Sequence, residues 1–429
     1  MELLIKDVLN LKEGEKVKIK GWVYRIRKLK DKIFIVLRDS SDILQCLAIR
    51  NKFDDETWKN IDKIGIESSL IIEGKTRKDK RAVNGVEIDV DKIDIINIAK
   101  EFPITEFQST ELLLDYRHLW IRSRKLTEIM KIRHNLLKAA REFFYDRGFY
   151  EVSPPIITGS ACEGGATQFE INYFDEKAYL SQSAQLYLEA LIYSLEKVFS
   201  ITPSFRAEPH RTSRHLAEYW HIEPEVAWLD FEGLLKLEED FISYICSYIA
   251  TNNEKELKFL GRDPEDLFKV KPPFPRITYD EAIKRLNKIG MKIPWGKDLR
   301  TLEEEKLTKN LEKPLIVTHY PREIKAFYMK DDPKNKKVVL CNDMLAPNGY
   351  GEIIGGSERE NDIEILKEKL IAAGEKLENY KWYLDLRLYG AIPHSGFGAG
   401  VERILRWICK LDHIRDAIPF PRTIRRKYP

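Results

Sequence analysis

Apolar and polar residues alternate with a period of two through the first hundred residues. The runs EKVKIKGWVYRIR, KIFIVLRDSS and DILQCLAIR carry the alternation between residues 15 and 50, and SLIIEGKTRKDK and VEIDVDKIDII continue it. Such a period lays every second side chain on one face of an extended strand. Asp and Ser separate the second run from the third, and VNG separates the last two, as turns between strands require. Five short strands in about 90 residues predict a small closed barrel in preference to a sandwich. Pro103, in FPIT, cannot donate to a strand ladder and marks the exit from this module.

The period then changes. In KIRHNLLKAAREFFYDRGFYEV (131–152), Ile132, Leu136, Ala139, Phe143 and Phe144 fall on one helical face, and Gly148 sits where a helix C-cap is expected. A strand follows, stopped by Pro154 and Pro155. Residues 196–228 predict two strands joined by a charged loop, and residues 232–250 and 363–379 predict helices. GFGAGVERILRWICKL (396–411) reads as a glycine-rich turn feeding a helix, and DDPKNKK (331–337) as an exposed turn. The pattern gives an α+β chain: a barrel over residues 1–102, a hinge or linker over 103–125, and a larger mixed domain over 126–429.

Composition narrows the class. With 43% hydrophobic and 33% charged residues in 429, the chain matches a soluble globular enzyme of two or three domains. No apolar run approaches the length that spans a bilayer, so no membrane partner is expected. The opening MELLIKDVLNLKEGEK threads charges where a signal peptide needs an apolar stretch. Five cysteines at 46, 162, 246, 341 and 409 form no C-x-x-C pair, which suits a reducing cytoplasm better than a zinc site or disulfides. Residues 1–100 hold 22 Lys+Arg against 18 Asp+Glu, and the last fifteen hold five against one. Basic strips of this kind can meet phosphates, although solvated surface charge explains them equally.

Three stretches carry candidate chemistry. SFRAEPHRTSRHLAEYWHIEPE (204–225) puts an arginine in one strand, three more cations in the loop and carboxylates on the return strand. That makes a basic cradle over an acidic floor, suited to a polyphosphate and a phosphorus centre that develops charge; a salt-bridged surface hairpin is the plain alternative. Gly396-Phe397-Gly398-Ala399-Gly400 precedes a helix, as a nucleotide's close approach would need, and tight packing would need it too. It matches neither a P-loop nor a dinucleotide fingerprint. Asp343 and Glu352 flank NGYG and could hold Mg²⁺ through hard oxygen donors, or simply close a turn.

Together these stretches resemble the class II aminoacyl-tRNA synthetases. FRAE with RHLAE is similar to their motif 2, GFGAGVERILRWI to motif 3, and the helix running into GFYEVSPPIIT to motif 1, the dimer-interface element. The likeness extends through DYRHLWIRSRK, EGGA, LSQSAQLYLE and IRDAIPFPR, and with the strand runs in front it spans essentially the whole chain. It points to the subgroup that holds the aspartate, asparagine and lysine enzymes. The fold implied is an N-terminal OB-fold β-barrel that binds the anticodon, plus a catalytic domain with an antiparallel sheet flanked by helices. The resemblance further implies ATP as substrate, Mg²⁺ as cofactor, tRNA as partner and a homodimer. Arg206 would grip the α-phosphate; Glu208 and His215 would contact the nucleotide; Tyr219 and Arg403 would sandwich adenine. Asp343 and Glu352 would bind the metal. Some relatives place a serine three residues after that glutamate, where this chain has Gly355. Glu163 would receive the substrate ammonium.

Selection between aspartate and asparagine is electrostatic, since a carboxylate needs cations where an amide needs one donor and one acceptor. Aspartate enzymes carry Q-S-P-Q-L-Y-K, whose lysine meets the substrate carboxylate; here Gln182-Ser183-Ala184-Gln185-Leu186-Tyr187-Leu188 ends in leucine. Gln185 belongs to the same binding run, Glu223 would accept from the amide NH₂, and Arg359 would donate to the amide oxygen. Asparagine and tRNA(Asn) are therefore the expected substrates. A relaxed aspartate enzyme, an ATP-dependent asparagine synthetase and a non-catalytic tRNA-binding paralogue stay open. In the barrel, Phe34 and Gln45 match the subgroup's anticodon readers, with Arg25, Arg27 and Lys28 on RNA backbone. From pattern alone, Phe34 reads first as barrel core.

Overall fold

The computed structural model describes residues 3–105, 107–159, 168–208 and 212–429. The chain forms two compact units, Met1–Leu113 and Leu114–Pro429. In the first, strands β1 (Lys16–Leu29), β2 (Lys32–Arg38), β3 (Ile43–Ile49), β4 (Ser69–Lys78) and β5 (Val86–Asn97) close into a barrel in the order β1-β2-β3-β5-β4. Alternation decides which face turns inward: Val17, Ile19 and Val23 of β1 are buried against Ile33, Ile35 and Leu37 of β2. Closure bends the strands where side chains are missing. A Cβ on Gly21 or Gly74 would lie 2.2 Å from the carbonyl oxygen of Arg38 or Asp89, an approach only glycine permits. Helix α1 (Asp55–Asp62) joins β3 to β4 and buries Ile61; the Asp54 carboxylate accepts from the Thr57 N–H at 2.8 Å and caps it.

The second unit is built on one sheet. Its strands are β6 (Tyr150–Glu151), β7 (Lys197–Phe205), β8 (Glu218–Ala227), β9 (Arg276–Thr278), β10 (Leu315–Thr318), β11 (Cys341–Ala346), β12 (Gly351–Glu358) and β13 (His394–Gly400). They lie in the order β9-β10-β11-β12-β13-β8-β7-β6. The expected antiparallel pairing holds from β10 to β7, whereas β9 joins β10, and β6 joins β7, in parallel. Long crossovers connect both parallel pairs, as their direction requires; the one from β6 to β7 carries a small sheet of Ile157–Thr158, Glu170–Tyr173 and Glu176–Leu180 ahead of a helix.

Helix α2 (Arg124–Tyr145) buries the predicted face, Ile132, Leu136, Ala139, Phe143 and Phe144. It packs on α4 (Phe231–Asn252), with the Phe143 and Phe241 rings edge to face at 5.3 Å. Gly148, at φ +75°, turns the chain out of α2. Between these two helices in sequence, α3 (Gln185–Leu195) precedes β7; later come α5 (Thr301–Thr308), α6 (Lys381–Leu388) and α7 (Val401–Ile408).

Three expectations need adjustment. The segment 103–125 contains helices Thr110–Asp115 and Arg117–Trp120. Buried Arg117 donates to the carbonyls of Pro419 (2.7 Å) and Ile418 (2.8 Å), which fastens the Arg117–Trp120 helix to the C-terminal end within the second unit. The helix foreseen over 363–379 stops at Ala372, because Gly374 takes φ +80°. The glycine run at 396–400 is strand β13 and not a turn: its glycines recur every second residue and so share one face of the strand.

Arg133 of α2 donates to Glu402 of α7 at 2.6 Å and to the Ala417 carbonyl at 3.1 Å, with both side chains buried. Arg133→Met leaves the Glu402 carboxylate enclosed without its cation. We expect a loss of about 3–5 kcal/mol in the catalytic unit, read as an earlier urea midpoint with an unchanged slope.

Candidate active site

Strand β8 organises the site. Its alternate residues Tyr219, His221, Glu223 and Glu225 share one face, while Ile222 and Val226 point into the core. Its neighbour β13 offers glycine to the same face: His221 lies across from Gly400 and Glu225 from Gly396. A Cβ on Gly396 would sit 2.1 Å from the Glu225 carboxylate, so this floor exists only because side chains are absent. On the other flank β7 ends at Phe205, and Arg206 continues the hairpin by donating its N–H to the Ala217 carbonyl at 3.0 Å.

Two cavities open over this face. The larger, of about 570 Å³, is lined by Arg206, Glu208, His215, Glu352 and Arg403, and walled by Asp298–Thr301 and Glu304. Arg214 pairs with Glu304 at 2.5 Å and donates to the Gly349 carbonyl, which ties the 204–218 hairpin to α5. Glu208 lies 3.9 Å from both Arg206 and His215. Tyr219 lies under Arg206, whose guanidinium is 5.8 Å from the ring centroid. The smaller cavity, of about 70 Å³, is lined by Ser183, Gln185, Glu223, Glu225, Tyr328 and Arg359. Arg206 and Glu352 line both cavities.

Charge is arranged so that each enclosed group has a counterpart. Burial works against ionising Glu352, but Arg403 at 2.8 Å, with Lys325 and Arg206 farther off, holds its carboxyl down at about 2. Burial, reinforced by Arg206 and Arg403, pushes His221 down to about 3. His221 is thus a neutral ring, linked through Nδ1 to Ser204 Oγ at 3.1 Å. In the small cavity Arg359 is gripped by the Glu225 carboxylate and donates to Ser357 Oγ at 2.7 Å. Glu223 accepts from Ser183 Oγ and from the Ala184 N–H, the latter at 3.0 Å.

Of the residues the sequence nominated, Arg206, Glu208, His215, Glu352 and Arg403 meet around the large cavity, and Gln185, Glu223 and Arg359 around the small one. Glu163 lies outside the described residues. Leu188 lines neither cavity; it is fully buried among Ala184, Ile192, Val198 and Ala227. Its contribution is therefore the absence of a cation beside the site and no contact of its own. Asp343 pairs across the strands with Gly355, and Lys325 Nζ holds its two oxygens at 2.8 and 3.0 Å. A side chain on Gly355 would enter the space between the two carboxylates, its Cβ 3.1 Å from Glu352 and 3.7 Å from Asp343. Among the described residues no group of three His, Cys, Asp or Glu gathers around one point. Two converging carboxylates fit a magnesium ion that draws its remaining ligands from phosphate and water.

The barrel presents its own face. Arg27 lies across from Phe34, and Arg25 and Gln45 flank Val36 on either side. Phe34 is half-buried and outside the apolar cluster of Ile33, Ile35 and Leu37, so it is not barrel core. Gln45 Nε2 donates to the Glu87 carboxylate at 2.7 Å, which leaves its amide oxygen as the outward end. Lys28 points away from this face; its Nζ lies 4.0 Å from Asp62.

Residues 109–424 match the family model described as class II tRNA synthetases (D, K and N), and residues 17–96 match an OB-fold nucleic acid binding domain. The chain belongs to the class II tRNA synthetases. It is 52% identical over 424 residues to an asparagine–tRNA ligase of Thermococcus kodakarensis, covering 99% of this chain and 98% of the relative. An asparagine–tRNA ligase of Thermoplasma acidophilum is 50% identical, with 97% of each chain covered. Among solved structures, Pyrococcus horikoshii asparaginyl-tRNA synthetase complexed with asparaginyl-adenylate superposes with TM-score 0.97 at 50% identity over both whole chains.

Sequence reasoning gave no role to His221, Ser183, Tyr328 and Lys325, and took Glu225 only as one of the carboxylates on the return strand. Two of these had a signal. Once Tyr219 and Glu223 are nominated on one strand, the period of two places His221 between them and Glu225 next in line. Ser183, Tyr328 and Lys325 come from loops whose approach to β8 only the tertiary fold sets.

His221 stays neutral in the folded synthetase, while the unfolded chain takes up a proton as pH falls below about 6.5. Its burial therefore costs stability in that window, and the cost grows toward its folded value of about 3. In His221→Gln, stability should fall less than in wild type between pH 7 and pH 5, by about 1–2 kcal/mol. Urea unfolding at the two pH values reads the difference.

Proposed function

We propose that the synthetase ligates L-asparagine to tRNA(Asn) through an asparaginyl-adenylate. The observation that carries this reading is the pair of cavities that share Arg206 and Glu352. One has the volume and cations for a nucleoside triphosphate. The other is small, polar and lined by both signs of charge, as an amide requires. Four carboxyl groups (Glu189, Glu223, Glu225 and Glu352) against three arginines (Arg206, Arg359 and Arg387) in and under the small cavity disfavour a second anion at the side-chain end of the substrate.

Arg206 lies where the cavities meet and stabilises charge at the α-phosphorus as the asparagine carboxylate attacks and pyrophosphate departs. Glu208 and His215 position the nucleotide, and Arg403 packs over adenine opposite Tyr219. Glu352, with Asp343, would hold Mg²⁺, which neutralises phosphate charge when bound. The tRNA 3′-terminal hydroxyl then attacks the activated carbonyl and releases AMP. No side-chain nucleophile takes part; positioning and fixed charge do the chemistry.

For the tRNA, Phe34 supplies a stacking surface, Arg25 a phosphate contact, and Gln45 an amide oxygen that accepts from a base N–H. We infer a homodimer through the sheet edge at β6, where Tyr145, Tyr150, Ile156 and Ile157 are exposed and an unpaired strand edge remains to be covered. The buried thiols Cys46, Cys246, Cys341 and Cys409 form no disulfide, which suits a cytoplasmic setting.

Wild-type protein should exchange pyrophosphate into ATP with asparagine and far less with aspartate. Arg206→Ala should slow asparagine-dependent exchange about 100–1,000-fold; near-normal exchange, or exchange driven by aspartate alone, overturns the reading. Phe34→Ala should leave exchange unchanged and raise the KM for tRNA about 10-fold or more, measured by aminoacylation.

A further inference from the structure

Beneath the small cavity lies a carboxylate that touches neither cavity. Glu189 of α3 is fully buried, and four donors converge on it. Oε2 accepts from Arg387 Nη2 at 2.6 Å, from Tyr383 OH at 2.7 Å and from His394 Nε2 at 3.0 Å. Oε1 accepts from Gln185 Nε2 at 2.9 Å. Burial opposes its charge, yet Arg387 and His394 hold its carboxyl well below the usual range, so Glu189 is an anion and can only accept.

Two consequences reach the cavity. Gln185 must point its NH₂ at Glu189, and its carbonyl oxygen is then the end presented to the substrate. An oxygen there accepts from a substrate N–H; since aspartate enzymes carry glutamine at this position too, it orients the substrate and does not choose between amide and carboxylate. The second consequence is charge. Arg387 and Arg359 both bear on this region, and the field of Glu189 reaches Arg359 as well. Without Glu189, Arg387 would be a buried cation with no counter-charge, and the cavity would turn attractive to an anion.

We propose that Glu189 is a specificity-determining positioning residue: it fixes the Gln185 amide against the substrate, and by balancing Arg387 it makes the cavity select an amide over a carboxylate. The inference rests on the asparagine reading above, and wild-type exchange with asparagine tests that reading separately. In steady-state pyrophosphate exchange, Glu189→Gln should raise the KM for asparagine at least 10-fold. The KM for ATP should stay within twofold, and the ratio of asparagine to aspartate kcat/KM should fall at least 10-fold. Arg387→Gln, which removes the opposing cation, should keep or raise that ratio. Glu189→Gln/Arg387→Gln, in which neither charge remains, should bring it back to within about threefold of wild type. A thermal melt identifies any variant that does not fold, and the remaining variants still order the ratio against wild type. A ratio that ignores the charge at these two positions, with asparagine and aspartate losing activity in parallel, would reduce Glu189 to a packing role and overturn the proposal.

Discussion

The catalytic unit depends on supplying polar partners to carboxyl groups enclosed where water is scarce. Glu189, Glu223 and Glu225 are buried beside or beneath the small cavity, and Glu352 lines both cavities. Removing a carboxylate from water costs several kcal/mol unless cations and N–H or O–H donors replace the solvent. Each has its own partners: Arg387 and His394 for Glu189, Ser183 and the Ala184 N–H for Glu223, Arg359 for Glu225, Arg403 for Glu352. The partners come from α6, the 183–185 turn, the end of β12 and α7, so the charges lock these elements into one arrangement. Loss of any one cation would strand a carboxylate and release an element.

The sheet makes this crowding possible through what it omits. Gly396, Gly398 and Gly400 leave β13 bare on the face where β8 carries its polar row, and Gly355 of β12 continues the bare floor beside Gly398. Apolar residues of the same strands, Phe397, Ala399 and Ile354, fill the core beneath. A two-residue repeat thus does two jobs at once, a packed underside and an open upper surface.

The sequence made much of this legible where periodicity and charge coincide. The barrel strands, the buried face of α2 and the 197–227 hairpin all follow from a single period read over ten or more residues. Arg206, Glu352 and Arg403 stood out through the likeness of their stretches to the class II motifs, since charge and glycine patterns alone suit a surface hairpin or a turn as well. The glycine run misled because glycine usually signals a turn; only its spacing of two betrays a strand face. Leu188 misled differently: its charge logic stands, but its side chain packs into an apolar cluster. Glu189 was invisible, since a glutamate in a helix is ordinarily solvated, and its partners Arg387 and His394 lie about two hundred residues away.

The meeting of the cavities at Arg206 and Glu352 explains why opposite charges can share a reaction centre. Bringing an amino-acid carboxylate to a phosphate joins two anions, so the centre needs cations fixed beside it. Arg403, in the first turn of α7, pairs with Glu352 at 2.8 Å. Arg206 lies 3.9 Å from the Glu208 carboxylate and over the Tyr219 ring, with its backbone N–H bonded to the Ala217 carbonyl. The neutral His221 adds no further cation close by. The field at the junction is thereby set jointly by Arg206, Arg403, Glu208 and Glu352, and charge held in fixed positions of this kind needs no rearrangement as a transition state forms.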